Sequence, residues 1–198
     1  SLVSLKCFGV VNLADPACLG EMRELRQLDL SGGRGIIDLS LLKNLSKLEV
    51  LRLSGIRGIR GDLSPLAGLS SLQELRLMGT FDAKDLSPLA QLPALRRLGL
   101  WGFSMVSDVT PLGKLKELTH LSLEGFPRVR DLTPLIQLQK LTSLNLGRCD
   151  ALSDLKFLAE MPDLRELELS SADAIADLRA IAGAKGLRRL TLTTLKNV

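Results

Sequence analysis

Asp62-Leu63-Ser64-Pro65-Leu66-Ala67-Gly68-Leu69-Ser70-Ser71-Leu72-Gln73-Glu74-Leu75-Arg76-Leu77 is a pattern that returns along nearly the whole chain. Twenty-three residues on, Asp85-Leu86-Ser87-Pro88-Leu89 is followed by Leu92, Leu95, Leu98 and Leu100. The same run recurs from Asp108-Val109-Thr110-Pro111-Leu112 and from Asp131-Leu132-Thr133-Pro134-Leu135. A fixed period in this range identifies a repeat protein before any residue-level chemistry is considered.

Aspartates at 15, 38, 62, 85, 108, 131, 154 and 177 carry the frame, with successive differences of 23, 24, 23, 23, 23, 23 and 23. The extra residue falls in Gly58-Ile59-Arg60-Gly61. Counted from each aspartate, offset 13 is leucine in all eight repeats, from Leu28 to Leu190, and so is offset 15, from Leu30 to Leu192. Offset 21 reads Ile36, Ile59, Ala83, Val106, Val129, Leu152 and Ile175. Seven or eight inward-pointing positions per repeat therefore build one continuous core.

These columns resemble leucine-rich repeats, and the Asp-Leu-Ser/Thr-Pro-Leu opening is similar to the internalin-like class found in many bacterial proteins and some protozoan ones. The resemblance runs from Leu2 to about Leu195. It implies an α/β fold: a right-handed solenoid, horseshoe or arc, with a parallel concave sheet of about nine strands and short helices or helical turns on the convex side. One column departs from the family. Offset 18, where asparagines usually form a ladder, reads Gly33, Ile56, Thr80, Phe103, Phe126, Cys149, Ala172 and Leu195. The turn after the strand is expected to find its hydrogen bonds between backbone groups instead, with Phe103 stacked on Phe126.

Composition agrees with a leucine-built solenoid: 198 residues with 45% hydrophobic side chains and only 3% aromatic ones. A net charge of +4, without a basic run longer than a pair such as Arg188-Arg189, gives no nucleic-acid footprint. The three cysteines, Cys7, Cys18 and Cys149, fall in repeat columns and read as buried free thiols, favouring a reducing, cytoplasmic compartment over a secreted one. No stretch is long and apolar enough to insert in a membrane, and Ser1-Leu2-Val3-Ser4-Leu5-Lys6 lacks the pattern of a signal peptide. Leu2, Leu5 and Cys7 fit the second half of a repeat, and Leu190-Thr191-Leu192-Thr193 forms a last strand. With no polar cap at either end, residues 1–198 read as a single domain cut from a longer protein, with neighbouring domains.

Within each repeat, offsets 11 to 16, such as Arg97-Leu98-Gly99-Leu100-Trp101, alternate with period two and predict a short strand. Nine strands at about 4.8 Å spacing give a sheet roughly 40 Å long. Ser64-Pro65, Ser87-Pro88, Thr110-Pro111 and Thr133-Pro134 predict a helical turn capped by the hydroxyl, with proline in the first turn. The frame aspartates are expected to accept backbone N–H bonds there. One per repeat, they lack the clustered oxygens of a calcium loop. Arg60-Gly61-Asp62 contains a frame aspartate and reads as coincidence. Asn44-Leu45-Ser46 matters only for a secreted eukaryotic protein, and Ser31-Gly32-Gly33-Arg34-Gly35 reads as a turn.

Function in such a fold lies where side chains leave the strands on the concave face, at offsets 12, 14 and 16. There Arg52, Arg76 and Arg97 occupy neighbouring strands, Met78 and Trp101 share a column, and the single His120 follows. Glu124, Glu166 and Glu168 lie toward the C-terminus. Tryptophan, methionine and arginine concentrate at the centres of protein interfaces, so these residues predict a surface for a protein partner. The resemblance implies a sensing or targeting segment of a larger protein, such as an intracellular immune-type receptor or a bacterial effector. Alternatives are glycan or cell-wall recognition by an adhesin-type ectodomain, and an auxiliary domain positioning an adjacent catalytic one. No cofactor or metal set is visible. His120, Ser122 and Glu124 share one strand face at about 7 Å per pair, too far for a triad, so no enzymatic site is expected.

Overall fold

The computed structural model describes residues 2–9, 17–32, 38–55, 61–79 and 82–195. Asp15, Gly33, Ile36, Ile56, Ile59, Arg60 and Thr80 lie outside the described residues. Nine strands form one parallel sheet in chain order: β1 (Ser4–Lys6), β2 (Gln27–Asp29), β3 (Val50–Ser54), β4 (Glu74–Met78), β5 (Arg97–Trp101), β6 (His120–Glu124), β7 (Ser143–Gly147), β8 (Glu166–Ser170) and β9 (Arg189–Thr193). Every register matches the repeat columns, so that Leu51, Leu75, Leu98, Leu121, Leu144 and Leu167 stand in one row. The extra residue between β3 and β4 is taken up outside the strands.

The other side of each coil is a chain of tight turns. In the third repeat Leu66 N–H donates to Leu63 C=O at 3.0 Å, Leu69 to Leu66 at 3.0 Å and Leu72 to Leu69 at 3.0 Å. The leucine spacing of three is therefore the spacing of the hydrogen bonds. A 3₁₀ turn has three residues per turn and eclipses i with i+3, so Leu66, Leu69 and Leu72 all face inward and are fully buried. The described segments contain seven such 3₁₀ pieces, from Leu39–Leu42 to Arg179–Gly183, and one short α-helix, Cys18–Glu21.

The frame aspartates hold the start of these turns, by a route that partly differs from expectation. Asp62 Oδ1 accepts the N–H of Ser64 at 2.8 Å, and Asp85, Asp108, Asp131, Asp154 and Asp177 accept the equivalent N–H at the same distance. The hydroxyls do not cap the turns. Ser64 Oγ instead donates to Asp62 Oδ2 at 2.9 Å, because the carboxylate two residues earlier already occupies the turn's first N–H. Proline does sit in the first turn, as its fixed φ and missing N–H allow.

Between strand end and turn, the missing asparagine ladder is replaced by backbone bonds. Gly32 N–H donates to Ser54 C=O at 2.7 Å, Gly55 to Met78 at 2.8 Å, Gly102 to Glu124 at 2.8 Å and Gly125 to Gly147 at 2.9 Å. This column is left-handed, with φ of 74° at Gly55 and 85° at Gly102, and non-glycine Arg148, Ser171 and Thr194 adopt it too. The close approach of successive coils here favours glycine, since a Cβ on Gly125 would stand 3.3 Å from Gly102 N. Behind it, Phe103 and Phe126 stack at 5.6 Å with a 10° interplanar angle, fully buried. Cys149 follows in the same column, and its burial pushes the thiol up to about 12. The other two cysteines depart from the expected burial: Cys7 is half-buried and Cys18 is exposed.

Hydrogen bonds from the turn lower the pKa of Asp62, Asp85, Asp108, Asp154 and Asp177. The Ser64 N–H does so for Asp62, and the Ser87 and Thr110 side chains lead at Asp85 and Asp108. At Asp177 the Arg179 side chain lowers it furthest, to about 2. Because folding depresses these values, the stabilisation is present above the unfolded value of about 3.9 and is lost as pH falls through the folded ones. Urea midpoints should decline slightly below about pH 6.5, where folded His120 resists protonation, and fall most between about pH 4 and 2, where the frame carboxylates are protonated. Asp85→Asn with Asp108→Asn, which keep an acceptor but not the charge, should make that fall shallower; an unchanged slope would contradict the assignment.

Candidate functional site

On each strand the alternation that buries leucines turns the intervening side chains outward. On β4 Leu75 and Leu77 are buried while Arg76 and Met78 are exposed, and on β5 Arg97 is exposed and Trp101 half-buried. The register places Met78 beside Trp101 and Trp101 beside Glu124. Arg97 stands between Glu74 and His120.

Glu74, absent from the residues that the sequence singled out, is the electrostatic centre of this face. It is only 8% exposed although it points outward, because guanidinium groups close over it. Its Oε1 accepts from Arg52 Nε at 2.8 Å and forms an ion pair with Arg76, whose Nε stands 2.8 Å away. Arg52 also lies 3.6 Å from the buried carboxylate of Asp29. Burial alone pushes the Glu74 carboxyl up, but the hydrogen bond and charge of Arg52, followed by Arg76 and Arg97, hold it below the usual range. Arg97 makes no ion pair among the described residues. Three guanidinium groups against two carboxylates leave one positive charge in excess.

Trp101 folds back along its own strand. A Cβ placed on Gly99 would lie 2.4 Å from the indole Cζ3, so the ring occupies the space that the missing side chain leaves. The indole thus divides two hollows. One, of about 290 Å³, is lined by Arg76, Arg97, Gly99, Trp101, His120 and Asn145 among others. The second, of about 370 Å³, is lined by Met78, Trp101, Glu124 and Arg148 with the glycine column below.

The structure therefore brings together Arg76, Met78, Arg97, Trp101, His120 and Glu124 of the predicted surface and separates the rest. Arg52 lies on β3, engaged by Glu74 and Asp29. On β8, Glu166 pairs with Arg189, and Glu168 accepts from Asn145 Nδ2 at 2.8 Å. His120 Nδ1 faces Thr119 Oγ1 at 2.9 Å, not Ser122. Burial first, and then the field of Arg97, push its pKa below the usual imidazole range, against the opposite pull of Glu166. Phe8, 66% exposed, stands just past β1, four strands from Trp101.

This fold and face have relatives among solved structures. Internalin C2 of Listeria monocytogenes is 32% identical, with a TM-score of 0.78 and a match covering 96% of this chain and 80% of the internalin. The inlF internalin of the same organism is 27% identical, with a TM-score of 0.66, over 93% of this chain and 59% of its own. The ectodomain of the Arabidopsis thaliana membrane receptor kinase GASSHO1/SCHENGEN3, solved in complex with CASPARIAN STRIP INTEGRITY FACTOR 2, matches in fold alone. It is 21% identical, with a TM-score of 0.63, over 98% of this chain and 27% of the ectodomain. No protein-family model and no curated protein matches the chain. The repeat columns, the single parallel sheet and the internalin C2 match place the chain in the leucine-rich-repeat family. Among the described residues no helix is long and apolar enough to cross a membrane.

Glu74→Gln should test the ion cluster. Arg52 and Arg76 would lose their shared anion at a buried acceptor, and the unfolding free energy should drop by about 1–3 kcal/mol. Urea denaturation that leaves the midpoint unchanged would show that the cluster does not bind the strands together.

Proposed function

We propose that this chain is a protein-recognition module that holds a partner against the outward face of β4, β5 and β6, centred on Trp101. The observation that carries the reading is the way these side chains are presented. Trp101, Met78 and Arg97 stand beside two hollows on a sheet whose backbone is fixed from both edges. A rigid support lowers the entropy lost on association, and Trp and Arg are the residues that most often dominate such contacts. The likeness to internalins and to a receptor ectodomain solved with its bound factor supports a recognition role over a purely architectural one.

As the finer reading, the module serves as the sensing or targeting segment of a larger protein. The exposed Cys18 thiol, unpaired among the described residues, favours a reducing compartment for it. Glycan recognition draws less support, since the one tryptophan and the exposed Phe8 are too far apart to form a common stacking platform.

An interaction screen with the immobilised chain, counter-screened with two variants, tests the reading. Trp101→Ala should weaken the partner that is found by about 30-fold or more, the scale of a central interface residue. Lys114→Ala, exposed on the convex turns, should leave binding within about twofold. A partner that survives Trp101→Ala and is lost with Lys114→Ala would overturn the proposal.

A further inference from the structure

Resting on that reading, we infer that the hollow between the Trp101 indole and His120 takes an acidic side chain from an extended segment of the partner, its carboxylate held by Arg97 and Arg76 against the edge of the indole. Positive charge is left over on β4 and β5. Arg52 and Arg76 share the single charge of Glu74, the Nε of each standing 2.8 Å from the same oxygen. Arg76 pairs with Glu74 through its Nε, and its side chain keeps 47% of its exposure. Arg97 on the neighbouring strand has no carboxylate within ion-pair distance among the described residues. Both line the same hollow, where Ser122 and Asn145 add polar groups and Trp101 forms one wall.

Guanidinium groups recognise carboxylates through parallel N–H donors, and the pair strengthens when one side is shielded from water. Here the shielding comes from the indole, which lies down over Gly99 and walls off one side of the hollow. Arg97 stands between Glu74 and His120 across the strands, and its charge faces the hollow. The hollow is thus electropositive even with His120 neutral.

The surroundings decide which anion fits. Glu124 lies on β6, and Glu166 and Glu168 lie on β8, so the positive region is narrow and bounded on its C-terminal side by carboxylates. A polyanion such as a nucleic-acid backbone would meet repulsion within three strands. One isolated acidic residue would not. Met78, 37% exposed, lines the second hollow with Trp101, so an apolar residue next to the acid completes the contact.

Panning a random peptide display library, with the peptide C-termini fused to the coat protein so that no free terminal carboxylate is present, tests the inference on three proteins. These are the wild-type chain, Arg97→Gln and Trp101→Ala. Arg97 has no ion-pair partner among the described residues, so Arg97→Gln should keep the fold, which a urea midpoint equal to wild type verifies. The inference expects a pool enriched in single Asp or Glu beside an apolar residue on wild type, with enrichment lost on Arg97→Gln. A selected peptide titrated against the emission of Trp101, the only tryptophan, should bind about tenfold more weakly after its acid is changed to the amide. A pool sensitive to Trp101→Ala but without acidic enrichment, or with enrichment that survives Arg97→Gln, overturns the inference and leaves the recognition face standing. A pool indifferent to Trp101→Ala, or no enriched pool at all, overturns both.

Discussion

Each coil depends on one short hydrogen bond repeated: a leucine N–H donating to the carbonyl of the leucine three residues before. Leu89 to Leu86, Leu92 to Leu89 and Leu95 to Leu92 make such a run at 3.0, 3.2 and 3.3 Å, and Leu135, Leu138 and Leu141 make another. Because the bond spacing and the side-chain spacing agree, the turns satisfy their backbone while every leucine points into the core. The helical side is therefore thin, and 23 residues suffice to return the chain to the sheet. A run of α-helix at this spacing would rotate some of the leucines out of the core, since its period is 3.6 residues rather than three.

That economy frees the outward face of the sheet from folding duties. The leucine rows and the backbone bonds at both strand edges fix the sheet, so the residues at offsets 12, 14 and 16 vary widely from strand to strand. Their chemistry is concentrated on β4 to β6. Two buried carboxylates, Asp29 and Glu74, hold Arg52 and Arg76, and the charge of Arg97 remains in excess beside the indole. The acidic stretch on β8 is turned inward on its own partners, Arg189 and Asn145, and so contributes a boundary more than a contact.

Much of this was legible in the residues. The two invariant leucine columns gave the strands and their register, and Phe103 and Phe126 announced their stack. The absence of an asparagine ladder pointed to backbone bonds, which the structure supplies through the glycine column. Other features could not be read because they depend on which direction a side chain takes. Glu74 appears in the sequence as one of several outward polar residues, and only the convergence of Arg52 and Arg76 makes it buried. Trp101 reads as an aromatic group standing free on the face, whereas the empty site at Gly99 draws its ring down onto the sheet. The serine and threonine hydroxyls looked like caps, but it is the aspartate two positions earlier that accepts the turn's first N–H, and at Ser64 the hydroxyl donates to that carboxylate. A signal for Glu74 did exist: an acid with arginine two residues on, an arginine opposite it on one flanking strand and another diagonal to it on the other, is more easily a shared counter-ion than a solvated charge.

The claim on which the functional account stands is that contact is made from the sheet face and not from the turns. Placing a photoreactive amino acid at Ser122 on β6, and separately at Lys114 on the convex turn, measures this directly once a partner is in hand. Irradiation should crosslink the partner from position 122 and not from position 114. Crosslinking from 114 alone would move the interface to the opposite side of the solenoid.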